Sequence, residues 1–148
     1  MLPTHHGVAI DQKMPDHKTI KLFFWRQHKW HHETVTMVWD PQNVGRNATQ
    51  LIKQWLLVMH DEHVLNRHVS LESIAVSSMG NEAYISFDRS LFAPEWSVIK
   101  KWMVIESLIK TVLHNDLSLH SIMLMVHHKP MNDDHIDFSQ PLPVQERI

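Results

Sequence analysis

No cysteine occurs among the 148 residues, which excludes disulfides, thiolate metal sites, a catalytic thiol and lipid attachment through cysteine for the chain as given. Glycine is almost as scarce. With only Gly7, Gly45 and Gly80, neither GxGxxG nor GxxxxGK[ST] can be written, so phosphate-cradling loops of those kinds are out. No serine stands between two glycines, which removes the nucleophile elbow of serine hydrolases. No window approaches the roughly 18 apolar residues of a membrane span. The opening Met1 to Gly7 lacks the charged start and apolar stretch of a signal peptide. Either the protein is cytosolic or its targeting segment is absent from this chain. Charge is also near balance, with 14 Lys+Arg against 16 Asp+Glu and a formal charge of -2. Without a basic stripe bearing interleaved aromatics, nucleic acid is not an expected partner.

What the chain does have is a foldable composition, 43% apolar and 20% charged, at the usual length of one domain. Residues 1 to 17 carry Pro3, Gly7 and Pro15 and read as a tail or linker. The domain is expected over residues 18 to 143, with 144 to 148 as a C-terminal tail.

Period-two alternation marks the first strands. Ile20, Leu22 and Phe24 share one face and Lys21, Phe23 and Trp25 the other; Val35, Met37 and Trp39 then alternate with Thr34, Thr36 and Val38 until Asp40-Pro41. Asn47 stands three positions before Gln50, a capping pattern, and Ala48, Leu51, Ile52, Trp55, Leu56 and Met59 follow at helical spacing to about Asp61. Ile74 and Val76 lead into Gly80-Asn81, a two-residue hairpin signal, before Ala83, Ile85 and Phe87. Pro94 suits a first helical turn, with Val98, Trp102, Ile105, Ile109, Val112 and Leu113 on one face as far as His114-Asn115. Ile122, Leu124 and Val126 make the last full strand. The order β-β-α-β-β-α-β predicts an α/β (α+β) two-layer sandwich, two helices on one face of a mixed or mostly antiparallel sheet.

The chemistry-bearing residues are dominated by 14 histidines. Protonating all of them would add fourteen charges and carry the formal charge from -2 to +12, so surface electrostatics should depend strongly on pH near about 6.5. His32-Glu33-Thr34-Val35-Thr36 starts like HExxH, but Thr36 replaces the second histidine and the segment reads as strand. His60 and His63, three apart at a helix end, are the best metal candidates, though two imidazoles fall short of a structural site. His31-His32 and His127-His128 sit on strand-like segments, where neighbours face opposite ways. The plain alternative is that these histidines fill surface positions. Asn132-Asp133-Asp134 with Asp137 suggests a cation loop, but lacks the central glycine and closing glutamate of an EF-hand, so a solvated turn is expected.

Six tryptophans occur. Trp39, Trp55 and Trp102 fall on core faces, whereas Phe23, Trp25 and Trp30 do not. An exposed aromatic patch there would mark a partner or ligand surface; the alternative is that this face is covered too.

Two stretches carry a family resemblance. Met125 to Pro130, a short loop and then His135-Ile136-Asp137-Phe138-Ser139-Gln140-Pro141-Leu142 resemble the terminal strand and "hxDxSxPL" ending of the GerMN domain of sporulation, spore-germination and bacterial envelope lipoproteins. Ala48 to Met59 resembles that family's first helix and Ile74 to Phe87 its hairpin, so the likeness spans roughly Thr19 to Leu142. The chain departs from the family at His60-Asp61-Glu62-His63, where a Gly-Pro is common, and at His128, where a glycine is common. The resemblance implies a non-enzymatic module with no cofactor, exported to the cell envelope. It would contact an envelope protein or a cell-wall polymer, with self-association as a further option. The Phe23/Trp25 face or an open sheet edge would be the contact. A histidine-based metal- or pH-responsive module is the alternative, with His60 and His63 as first ligands.

Overall fold

The structure, a computed structural model, describes residues 16 to 145. Its elements are β1 (Asp16–Arg26), β2 (Lys29–Trp39), α1 (Val44–Asp61), β3 (Leu71–Val76), β4 (Glu82–Phe87), α2 (Val98–Leu113), β5 (Ser121–Val126), and the two short strands β6 (Lys129–Pro130) and β7 (Leu142–Pro143). The order β-β-α-β-β-α-β is the one the periodicities predict, and the class is α+β. Asp16 and His17, expected in the tail, already belong to β1; the rest of that expected tail lies outside the described residues.

The sheet is mixed. Its order is β3-β4-β5-β6 with β7 also on β5, and β4 and β5 are parallel, joined across α2, while the other pairs are antiparallel. The β1–β2 hairpin is a separate two-stranded sheet, which the expected single sheet did not foresee. It joins the fold chiefly through the helices, above all α2.

Side chains of both helices make this possible by occupying the edge of β1 that faces away from β2. Asn115 Oδ1 accepts from the Lys21 N–H at 3.0 Å while Asn115 Nδ2 donates to the Lys21 carbonyl at 2.7 Å. Thr111 Oγ1 accepts from the Phe23 N–H at 3.0 Å, and Trp55 Nε1 donates to the Phe23 carbonyl at 3.1 Å. Backbone groups that a neighbouring strand would ordinarily pair are thus satisfied by Trp55 and Thr111 of the helices and by Asn115 just past α2, as burial requires. Ile20, Leu22 and Phe24, all buried, form the inner face of the same strand.

Helix α1 is amphipathic, burying Ala48, Leu51, Ile52, Trp55, Leu56 and Met59. Its N-cap is Asn43, whose side chain accepts from the Arg46 N–H at 3.0 Å, rather than Asn47. Asn47 lies a turn inside the helix, 3% exposed, and pairs with both the N–H and the carbonyl of Asp40 at 3.0 and 2.7 Å. The polar residue that looked like a cap is instead a clasp between the end of β2 and α1.

Helix α2 is capped by Ser97, which accepts from Lys100 N–H at 3.2 Å, so Pro94 precedes the helix instead of opening it. Nearly its whole circumference is buried, including the polar Lys101, Ser107 and Thr111. Ser107 Oγ and Thr111 Oγ1 donate to the carbonyls four residues back, at 2.7 and 2.8 Å, which lets hydroxyls occupy an apolar interior.

The connection from β3 to β4 is a five-residue loop, Ser77 to Asn81, rather than the two-residue turn expected at Gly80-Asn81. Two-residue turns occur elsewhere, at Gln27-His28 and His127-His128, with φ of 55°, 63°, 49° and 66°. Positive φ at both central residues is the type I′ pattern that usually takes Asn-Gly. In this glycine-poor chain seven described non-glycine residues adopt positive φ, and four of them are histidines: His28, His63, His127 and His128. His127-His128 therefore forms the turn itself and is not on a strand. Of the stretch His60-Asp61-Glu62-His63, only His63 is left-handed, and His128 is as well.

Candidate binding cleft

The hairpin puts Phe23 and Trp25 on one face, as the alternation predicts, and Trp30, expected in the turn, joins them from β2. Trp25 and Trp30 are directly paired in register and meet edge to face with ring centroids 5.3 Å apart. Phe23 packs between His32 and His114, at 5.7 and 5.2 Å. From α2 the Lys110 ammonium lies 5.7 Å from the Phe23 ring and 4.9 Å from that of Trp30. All three aromatics are half-buried, so this is a packed aromatic row rather than an open patch. Sulfur-free, planar side chains of this kind keep the two strands in register through cross-strand contact.

Trp25 continues from that row into a cleft of about 360 Å³ between the hairpin tip, the turn after α1 and the first turns of α2. Arg26, His28, His63, Lys100 and Met103 line it with Trp25. Arg26 reaches across to the end of α1, where its Nη1 lies 2.9 Å from the Glu62 carboxylate and 3.4 Å from the Glu62 carbonyl.

The two histidines singled out as metal ligands are not brought together. His63 lines the hairpin cleft. His60 turns into a second cavity of about 310 Å³ between α1 and the start of β3, where its ring meets that of His68 edge to face at 5.5 Å. The left-handed backbone at His63, φ 58°, ends the helical spacing that would have made the pair converge. Among the described residues no three His, Asp or Glu side chains gather as a metal site. Other histidines serve the fold: His31 stacks on Phe24 at 5.3 Å and its Nε2 donates to the Arg26 carbonyl at 3.0 Å.

The acidic loop is solvated at Asn132, Asp134 and Asp137, which are exposed, but Asp133 turns inward. Asp133 binds a cation from the chain itself, the buried Lys101 ammonium, at 2.7 Å, with the two side chains 6% and 1% exposed. The other Asp133 oxygen accepts from the His135 and Ile136 N–H groups at 2.9 and 3.1 Å, and Lys101 Nζ also lies 2.9 Å from His135 Nδ1. Burial alone would raise the Asp133 pKa. The hydrogen bonds from Lys101, His135 and Ile136, together with the Lys101 charge, outweigh it and hold the carboxyl below its ordinary 3.8. Asp137 also titrates below the ordinary value, because the Ser139 hydroxyl and N–H donate to it.

One further cluster unites a hydroxyl, a carboxylate and an imidazole. Glu72 stands between the others: Ser86 Oγ donates to its Oε1 at 3.3 Å and His127 Nδ1 meets its Oε2 at 2.9 Å. General-base activation needs the imidazole beside the hydroxyl, and here the carboxylate takes that place. Ser86 is moreover fully buried and accepts from the His128 N–H at 2.8 Å.

Sequence reasoning missed Arg26, Lys100 and Met103 of the cleft and the Lys101–Asp133 pair. For Lys101 a signal existed: it precedes Ile105 by four residues, placing a charge on the apolar face of α2.

No family model matches the chain, and no curated protein matches it. Among solved structures it is similar to a "putative lipoprotein" from Clostridium perfringens, with a TM-score of 0.56, 15% sequence identity and 87% of each chain covered. At that identity the likeness is one of fold. Among the described residues no helix is long and apolar enough to cross a membrane.

Proposed function

We propose that this chain is a non-catalytic binding or assembly module of the cell envelope, of the GerMN kind, which meets a protein partner or a cell-wall polymer at the hairpin tip. The observation that carries the reading is the cleft beside Trp25, where an aromatic row opens into a concave site with cationic walls. Pockets of this shape are where ligands bind. The fold likeness to the "putative lipoprotein" structure supports the envelope setting, as does the resemblance of the His135 to Leu142 stretch to the GerMN ending. The order Ser86–Glu72–His127 supports the absence of catalysis at the cluster that comes nearest to a triad. His60 and His63 open onto different cavities, so the metal-responsive alternative has no favouring observation.

Fractionation of cells producing the native reading frame tests the setting: recovery with the envelope is expected, and recovery wholly in the cytosol would refute it. Phe23→Ala with Trp25→Ala tests the surface. Capture of purified cell-wall polymer or of the envelope partner, and self-association, should fall together; if both are unchanged, the surface is wrong.

A further inference from the structure

We propose that the hairpin-tip cleft binds an anion carried on an apolar stem, a carboxylate or phosphate monoester attached to a short aliphatic or aromatic group. The inference rests on the reading of this cleft as the binding site and names the chemistry it selects.

The lining divides into two parts. Trp25, Met103 and Val104 supply an apolar wall, and Ile99, 71% exposed, extends it at the rim. Arg26 and Lys100 supply permanent positive charge, and His28 and His63 supply ring N–H donors. Among the described residues no aspartate or glutamate lines the cleft. Glu62, outside the lining, is ion-paired with Arg26 through Nη1.

The Arg26 guanidinium supplies the second argument. The Arg26 side chain is 42% exposed beside the cleft, so part of the guanidinium is open to an occupant, whereas its Nε is buried, with no hydrogen-bond partner among the described residues. A guanidinium presents its donors as a planar fork that matches carboxylate and phosphate oxygens. Glu62 occupies one part of that fork, and an anion in the cleft would satisfy another part. Lys100 would add charge without geometric demand; it now lies over the Trp96 ring at 4.1 Å.

The cleft wall is also built from the backbone that a glycine-poor chain adopts least readily. Gln27, His28 and His63, three of the left-handed non-glycine residues, all line it. Its volume of about 360 Å³ lies at the lower end of the range for small-ligand sites, roughly 300 to 1,000 Å³. That suits a headgroup or chain end rather than an extended polymer segment.

Calorimetric titration of the full chain with octanoate, octyl phosphate, octanol and inorganic phosphate tests the proposal. Octanoate or octyl phosphate should bind saturably and about tenfold tighter than octanol, the difference expected for one charge-assisted hydrogen-bonded contact. Inorganic phosphate, lacking the stem, should bind more weakly than octyl phosphate. Lys100→Gln and Arg26→Gln should each weaken the anions several-fold and leave octanol unchanged, whereas Trp25→Ala should weaken octanol and octanoate alike. The preference between octanoate and octyl phosphate identifies the anion. If Arg26→Gln unfolds, Lys100→Gln and the loss of anion affinity with added salt carry the same decision. Octanol binding as tightly as octanoate, indifference of the anions to both charge removals, or no saturable binding of any probe would overturn the inference. Partner capture that is lost in Phe23→Ala/Trp25→Ala but uncompeted by octanoate or octyl phosphate would sink the anion site alone and leave the binding-module reading standing.

Discussion

Replacing His128 by glycine should make this protein more stable. His128 is the second residue of the two-residue turn between β5 and β6 and is held at φ 66°. A left-handed backbone costs an L-residue about 1–2 kcal/mol, because Cβ crowds the carbonyl oxygen. Glycine escapes that penalty but surrenders more freedom on folding, about 0.5–1 kcal/mol. The net gain is then about 0.5–1 kcal/mol, a rise of about 1–4 °C in Tm for a domain of this size. The bond to Ser86 Oγ at 2.8 Å comes from the His128 backbone N–H and survives the change. His127, whose ring meets Glu72, is left untouched. The reciprocal change is Gly80→Ala, at φ 75° with open space where its Cβ would stand. It should lose about 1 kcal/mol through backbone conformation alone. Thermal and urea unfolding of both variants beside His128→Ala checks the argument. If His128→Gly is no more stable than His128→Ala, left-handed strain does not set the stability of this turn.

Three other outcomes follow from buried contacts. Lys101→Met should cost about 3–5 kcal/mol in urea unfolding, because it strands the Asp133 carboxylate against α2; Lys101→Met with Asp133→Asn should recover part of that loss. Asp133 titrates below 3.8 in the folded protein, so its contribution is fully present above that pH and disappears as pH falls through the folded value. Asp133→Asn should therefore be less stable than the parent at pH 6 but lose less stability between pH 4 and pH 2, and parallel Tm profiles would refute the linkage. Asn115→Ala removes both partners of Lys21 and should cost about 2–3 kcal/mol, more than Thr111→Val. Hydrogen exchange should speed up at Lys21 in the first variant and at Phe23 in the second, where Thr111 is the acceptor.

The element order was legible because both periodicities are clean. The alternation in Ile20-Leu22-Phe24 and in Ala83-Ile85-Phe87, and the helical spacing from Ala48 to Met59, each describe one buried face. Local signals misled where a polar residue had a distant partner. Asn47 has a capping pattern, but Asp40 claims its amide. Asp133 sits in what reads as an exposed acidic turn, but Lys101 reaches it from another element. No pattern within either segment could reveal those pairings, because each is made across more than one turn of chain.

The aromatic face shows the same division. Alternation alone put Phe23 and Trp25 opposite the core, and the structure places them there. Only the packing of α2 decided that Lys110 and His114 would crowd Phe23 while Trp25 opened into a cleft. The scarcity of glycine could be counted in the sequence, but not its consequence, since φ at His28, His63, His127 and His128 depends on how the strands and helices they join are placed. Sequence by itself determined which faces are apolar, because that is a local property of spacing. Which side chain answers which buried charge or strand edge, and so where a site can form, was decided only when Asn115, Thr111 and Trp55 met β1 and Arg26 met Glu62, since hydrogen bonds and ion pairs are satisfied in space and not along the chain.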